Sequence, residues 1–255
     1  MRPLGSLVLV VYSLPGFAWG PEGHRLVARM AQEMLTPEAA ARVDSTLAPG
    51  ESIASLASWA DEVRKTRKET EPWHFIDIPI DSGGLNMQRD CLAAGCVLSK
   101  ISDFRRQWRD PHLSPAARRE ALLFLVHFVG DMHQPLHCAN NQDRGGNDVT
   151  VKFAGASMNL HHLWDSALLD RMSSENQLFV SLSQAITPDE KADWARGSVE
   201  DWAGESFGLA RTVVYGDLPP ARRIDETYER IADPVIERQI EKAAVRLAVV
   251  LNQEP

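Results

Sequence analysis

The sequence predicts a mainly helical fold built as one domain, with one or two short strands or hairpins. Three observations lead there. Apolar residues recur at helical spacing along most of the chain, proline and N-cap residues punctuate it as helix starts and stops, and no internal repeat or linker rich in Gly, Ser or Pro divides it. With 255 residues, 44% hydrophobic and 24% charged, the chain can bury one large core. Those proportions exclude disordered and collagen-like classes.

Taken in order, residues 1–18 read as a secretory signal. Met1-Arg2 gives a positive start, 4–14 is an apolar run, and Gly16-Phe17-Ala18 places small residues where a signal peptidase cuts. The run is too short to span a hydrocarbon core of about 30 Å as a helix. Cleavage between Ala18 and Trp19 is expected, with an uncleaved anchor as the alternative. No other stretch is long and uncharged enough to cross a membrane.

Residues 24–35 carry Leu26, Val27, Met30 and Leu35 at helical spacing. Thr36-Pro37-Glu38 then reads as an N-cap with proline in the first turn of a second helix. Residues 55–64 predict a helix, and 73–80 alternates with Phe, Ile and Ile as the best extended segment. Ser114-Pro115 opens the most apolar helix, 116–132, which Pro135 ends. The stretch NNQDRGGND over 140–148 is a turn-rich loop, after which Val149 heads a short strand or hairpin. Helices are expected over 159–172, 188–215 and 224–252, the last with Pro234 inside.

An exported chain sits where disulfides persist, and Cys91 and Cys96 could close a small loop. Cys138 is left over, as a buried apolar side chain, a free thiol or a metal neighbour; the first is favoured.

Histidine placement carries the chemistry. Of eight histidines, His127, His133, His137, His161 and His162 crowd into one stretch. In FLVHFVGDMHQPLH, Asp131 follows His127 by four residues, which puts both on one helix face a turn apart. His161 and Asp165 repeat the spacing in NLHHLWD. Zinc takes imidazole nitrogen and carboxylate oxygen at about 2.0–2.2 Å, so such a pair can face one ion. A carboxylate buried among Phe124, Leu125, Phe128 and Val129 without a cation would carry a heavy desolvation cost. Upstream stand Asp61 in SWADEVR, Arg64 one turn on, His74 in PWHFID, and His24. Asp61 and Arg64 alone would pass for a surface ion pair.

Taken together, WGPEGH, SWADEVR, WHFID, HFVGDMHQPLH, DRGGND and NLHHLWD resemble, in order, the secreted single-strand-specific zinc nucleases of the mung bean type. That family shares its helical fold with the bacterial zinc-dependent phospholipases C. The resemblance implies an exported phosphodiesterase with three Zn²⁺ ions, acting on single-stranded DNA and RNA to give 5′-nucleotides, with 3′-nucleotidase action; a monomer with no obligatory protein partner is expected. It implies that Trp19, His24 and Asp131 hold one ion. Asp61, His74, His127 and Asp131 would hold a second, and His137, His161 and Asp165 a third. Asp61 and Arg64 are the expected catalytic pair, Arg64 stabilising charge that builds at phosphorus. His112, His133 and His162 fall outside the pattern.

For the substrate, Phe75 matches a base-stacking position, although in a regular strand it would face away from His74 and a core role fits equally. Asn147 matches a motif position near the site, and Asp77 would orient a ligand histidine; a turn or surface role fits both as well. The net charge is −8, so no basic stripe offers itself for nucleic acid, and bound cations would supply the attraction. Two rival readings remain: a phospholipase C on the same fold, and a secreted zinc-binding protein with a closed cluster. Asp165 in place of glutamate and DRGGND speak against the first. The scarcity of cysteine among the candidate ligands speaks against the second.

Overall fold

The computed structural model describes residues 19–253, so the expected signal segment lies outside the described residues. Helix α1 (Pro21–Glu33) starts on proline and buries Leu26, Val27 and Met30. Thr36 caps α2 (Pro37–Thr46), its side chain accepting from the Ala39 amide, as Thr-Pro-Glu predicts. Turns occupy 53–58, so α3 (Trp59–Arg64) is shorter than the helix expected over 55–64. A 3₁₀ turn (Lys68–His74) follows. Beyond it come α4 (Met87–Asp90) and α5 (Val97–Arg109), joined by the Cys91–Cys96 disulfide.

Helix α6 (Pro115–His133) begins on a Ser114 cap, and every residue over 121–133 is buried. It is apolar all round because it is surrounded: α1, α3, α5, α11 and α12 all pack on it. Phe124 is the centre of this packing. Its ring stacks on Phe104 at 4.6 Å and on Phe128 at 5.0 Å, and meets Trp59 and Trp73 edge-on. A 3₁₀ turn (Pro135–Cys138) then carries the chain into a hairpin, β1 (Thr150–Phe153) antiparallel to β2 (Ala156–Asn159), with Val151 opposite Met158. Ala154 and Gly155 both take positive φ at its two-residue turn.

The helix expected over 159–172 is continuous but not uniform. It runs as α7 (Leu160–His162), a π-helical turn (Leu163–Ala167) and α8 (Leu169–Met172). After α9 (Glu175–Ala185), the single helix expected over 188–215 is broken into α10 (Pro188–Trp194) and α11 (Val199–Leu209). The break has a local cause: Gly197 takes φ +90° and Ser198 caps α11. A second π-helical turn (Ala210–Val214) extends α11. Helix α12 (Glu226–Asn252) passes through Pro234, which lies on its exposed side, where water can satisfy the freed carbonyl.

The extended segment over 73–80 needs correction. Trp73 and His74 end the 3₁₀ turn, and only from Phe75 is the backbone extended. There it borrows bonds from 137–140: the Ile76 amide donates to the His137 carbonyl (2.8 Å) and the Ile80 amide to Asn140 (3.1 Å). Pro79 has no amide to give, so no regular ladder forms. Among the described residues no helix is long and apolar enough to cross a membrane.

Phe124→Ala should lower stability by about 3–5 kcal/mol, since a large aromatic is lost from a packed core. Urea unfolding should show a lower midpoint at an unchanged slope. A loss under about 1 kcal/mol would contradict the central place given to this ring.

Candidate metal centre

Five segments converge beside the C-terminal half of α6. Helix α1 brings His24, α3 brings Asp61, the 3₁₀ turn brings His74, α6 brings His127 and Asp131, and the 135–165 stretch brings His137, His161 and Asp165. All eight side chains are buried. They form three groups whose nitrogen and oxygen atoms lie within 4.8 Å of one another: His24, His127 and Asp131; Asp61, His74 and His127; and His137, His161 and Asp165.

The distances resemble those of ligands sharing an ion. Asp131 Oδ1 lies 3.2 Å from His24 Nε2 and 3.3 Å from His127 Nε2, and Oδ2 lies 2.9 Å from His74 Nδ1. His137 Nε2 and His161 Nε2 are 3.1 Å apart, and Asp165 Oδ2 is 3.4 Å from His161 Nε2. Two donors at about 2.1 Å on a tetrahedral ion sit about 3.4 Å apart.

Hydrogen bonding identifies which atoms are held in reserve. Nδ1 of His127, His137 and His161 donates to the carbonyls of Ala57, His74 and Gly145, at 2.7–2.8 Å, which aims each Nε2 inward. The inward atoms are left without partners: Nε2 of His24, His74 and His127, Oδ1 of Asp61 and Asp131, and Oδ2 of Asp165 make no hydrogen bond. Buried polar atoms are almost always satisfied, so a convergent set of orphans fits the donor shell of a cation. Burial pushes the imidazoles of His24, His74, His127 and His137 below their usual range, and His161 to about 4, so they stand neutral and ready to ligate. Burial also drives Asp131 and Asp165 well above the usual carboxylate range, the opposite of what an ion there would do.

Close approaches set these positions. A Cβ on Gly130 would meet His24 Nδ1 at 2.7 Å, so glycine there lets the His24 ring lie against α6, stacked on His127 at 3.9 Å. Gly145 takes φ +60°, and a Cβ would meet the Leu136 carbonyl at 2.7 Å. Its own carbonyl is the one that holds His161. The π-helical turn places Asp165 one widened turn from His161. Trp19 is fully buried, and the Gly20 amide donates to the Asp165 carbonyl at 2.7 Å, so the start of α1 is fixed beside this group.

The groups open into a cleft of about 260 Å³. His74, His137 and His161 line it, together with Arg64, Phe75, Asp77 and Asn147. Arg64 Nη2 lies 3.4 Å from Asp61 Oδ1. Phe75 shares the cleft with His74 because the chain passes from 3₁₀ to extended backbone between them, which supplies the twist a regular strand would lack. Asp77 bonds Asn140, and burial raises its pKa; the acceptors on His127, His137 and His161 are backbone carbonyls instead. Asn147 donates to the Arg144 carbonyl at 2.9 Å. His112 and His162 are exposed. His133 is buried but bonded to the Val129 carbonyl and Arg246. Cys138 is buried, unpaired, and donates to Met132.

Sequence reasoning missed Gln134, whose amide donates to Asp165 while its oxygen accepts from the Leu136 amide at 2.6 Å. Its residue type carries no metal-site signal. It also missed Lys65, Lys68 and Arg144, which join Arg64 on the cleft against Glu71 and Asp77. The chain is acidic, yet the lining of this recess carries more basic than acidic side chains.

The S1/P1 Nuclease family model matches residues 19–254. Nuclease P1 of Penicillium citrinum is 35% identical over 263 residues, covering 92% of this chain and 97% of the relative. Nuclease S1 of Aspergillus oryzae is 31% identical, covering 99% and 96%. Endonuclease 2 of Arabidopsis thaliana is 29% identical, covering 96% and 94%.

Asp131→Asn keeps the shape of the side chain but removes its charge. A folded carboxyl whose pKa is raised opposes folding once pH rises through the unfolded value, so in chelator the variant should be at least as stable as the parent at pH 7. Zinc at about a hundred times its Kd should stabilise the parent by about 2.7 kcal/mol per site. Thermal melts should show most of that rise lost in the variant; an equal rise in both would show that Asp131 is no ligand.

Proposed function

The chain belongs to the S1/P1 nuclease family, and from that membership we propose that it is a zinc-dependent endonuclease cutting phosphodiester bonds in single-stranded DNA and RNA. The observation that carries this reading is the convergent set of partnerless, buried nitrogen and oxygen atoms, which reaches a cleft at His74 and adjoins His137 and His161 on it. The relatives' nuclease names weigh against a phospholipase C on the same fold.

Three zinc ions are proposed. Trp19, through its amine and carbonyl, would join His24 and Asp131 on one; Asp61, His74, His127 and Asp131 would hold the second; His137, His161 and Asp165 would hold the third. The family match beginning at residue 19 and the anchoring of Gly20 to Asp165 support an amine ligand freed by cleavage after Ala18. A Cys91–Cys96 disulfide accords with export to the periplasm or medium. The active form is proposed to be a monomer with no obligatory protein partner.

Bound zinc supplies Lewis acidity toward the phosphodiester and lowers the pKa of water at neutral pH. The chain's own residues do the rest. Asp61 and Arg64 act as a pair: the carboxylate orients the guanidinium, which meets the non-bridging phosphate oxygens as charge builds on them. Phe75 stacks a splayed base of any kind, and Asp77 and Asn147 offer hydrogen bonds along the same recess. A cleft of about 260 Å³ admits one unstacked nucleotide and excludes a duplex, which gives the single-strand preference. Products would be 5′-nucleotides, with 3′-nucleotidase action on short substrates.

Elemental analysis of mature protein should give about three zinc per chain. Hydrolysis of single-stranded DNA and RNA should vanish on chelation, return with zinc, and exceed that of duplex. Full activity after the metal is stripped would overturn the reading. A form retaining one extra residue before Trp19 should lose one zinc and most activity. Equal metal content and rate in that form would remove the amine from the ligand set.

A further inference from the structure

The rim of the cleft carries charge that the metal ligands and Arg64 do not account for. Lys68 begins the 3₁₀ turn that ends on His74, and Arg144 lies on the loop over 140–148, so the two reach the cleft from separate elements that also carry candidate ligands or their partners. Lys68 is exposed and makes no ion pair among the described residues. Arg144 is 77% exposed and reaches only Asp148, at 3.5 Å, itself 53% exposed. Lys68 keeps its whole charge, and the exposed Arg144–Asp148 pair compensates Arg144 only weakly.

The backbone beneath Arg144 is held in an unusual state. Arg144 takes φ +56°, a conformation disfavoured for any residue with a Cβ, immediately before Gly145 at +60° and Gly146 at +80°. Such a turn persists only when its surroundings over-determine it. They do: both carboxylate oxygens of Asp143 accept from Tyr215 Oη at 3.0 Å, and Oδ1 also accepts from the Gly146 amide at 2.9 Å. The Gly145 carbonyl then bonds His161. The root of the Arg144 side chain is therefore fixed beside His161, while its guanidinium, paired at the surface with Asp148, lines the cleft.

We propose that Lys68 and Arg144 form a subsite for the backbone phosphates on either side of the scissile one, so that the enzyme selects longer single strands over dinucleotides. This rests on the nuclease reading. With the scissile phosphate at the ligand set, the next phosphates of a flexible strand leave the recess across its rim, where these two cations stand. On an acidic chain, the local pair also gives a polyanion its direction of approach.

The test compares zinc-loaded mature enzyme with Lys68→Ala, Arg144→Ala and the double variant. The substrates are a dinucleoside monophosphate, which has only the scissile phosphate, and a single-stranded decanucleotide. The ratio of kcat/KM on the decamer to that on the dinucleotide should fall about fivefold at low salt in the double variant, through KM. The salt dependence of the decamer reaction should flatten by about 0.7 in log–log slope per charge removed. Lys68→Arg and Arg144→Lys should restore both, which a structural role would not require. An unchanged ratio, or an equal loss on both substrates, would overturn the subsite alone. Parent enzyme inactive on both substrates would overturn the nuclease reading and the subsite with it.

Discussion

A carboxylate buried in the last turn of an apolar helix is the constraint on which the rest of this structure depends. Asp131 is fully buried on α6, in the stretch that carries Phe124, Leu125, Phe128 and Val129, and the ion-pair contacts it makes are with His24, His74 and His127. Left ionised and alone, such a group would destabilise the fold by several kcal/mol. Instead three imidazoles converge on it from α1, the His74 turn and α6 itself, all neutral and all with inward atoms unsatisfied. Neutral rings do not neutralise a carboxylate; divalent cations between them would. The centre thus couples the helices it draws on, and a cation bound there would add to their stability.

The irregular parts of the fold gather where the centre needs them. Two 3₁₀ turns end on or near His74 and His137, a π-helical turn carries Asp165, and a loop of positive-φ residues presents the Gly145 carbonyl to His161. Regular helix would aim these side chains elsewhere. Behind them, Gln134 bridges Asp165 to the His137 turn, and Ser206 and Gln239 bind the Met132 and His133 carbonyls at the end of α6. His127, His137, His161 and Asp165 are thereby held by backbone and amide bonds that do not titrate.

Much of this was legible in the sequence where the signal is local. The His127–Asp131 and His161–Asp165 pairs follow from four-residue spacing alone, and the Thr36 and Ser114 caps and the hairpin after Val149 appear where expected. Long-range assembly was not local: that His24, Asp61 and His74 join Asp131 came from the resemblance, since no spacing rule spans those distances. Helices α5 and α9 went unassigned although Val97, Ile101, Phe104 and Trp108 keep helical spacing and Ser174 with Gln177 forms a capping box. Gly197-Ser198 marked the break before α11 in the same way. The basic cleft was invisible for another reason: Lys68 and Arg144 are far apart in sequence, and an average charge of −8 conceals a local surplus.

The most direct test of the cation-filled centre is zinc-edge anomalous diffraction from crystals of the mature chain. Three anomalous peaks should appear, each about 2.0–2.2 Å from the inward nitrogen and oxygen atoms named above, with Asp131 shared between two. A centre that diffracts without such peaks, its histidines and Asp131 satisfied by one another or by water, would contradict the account.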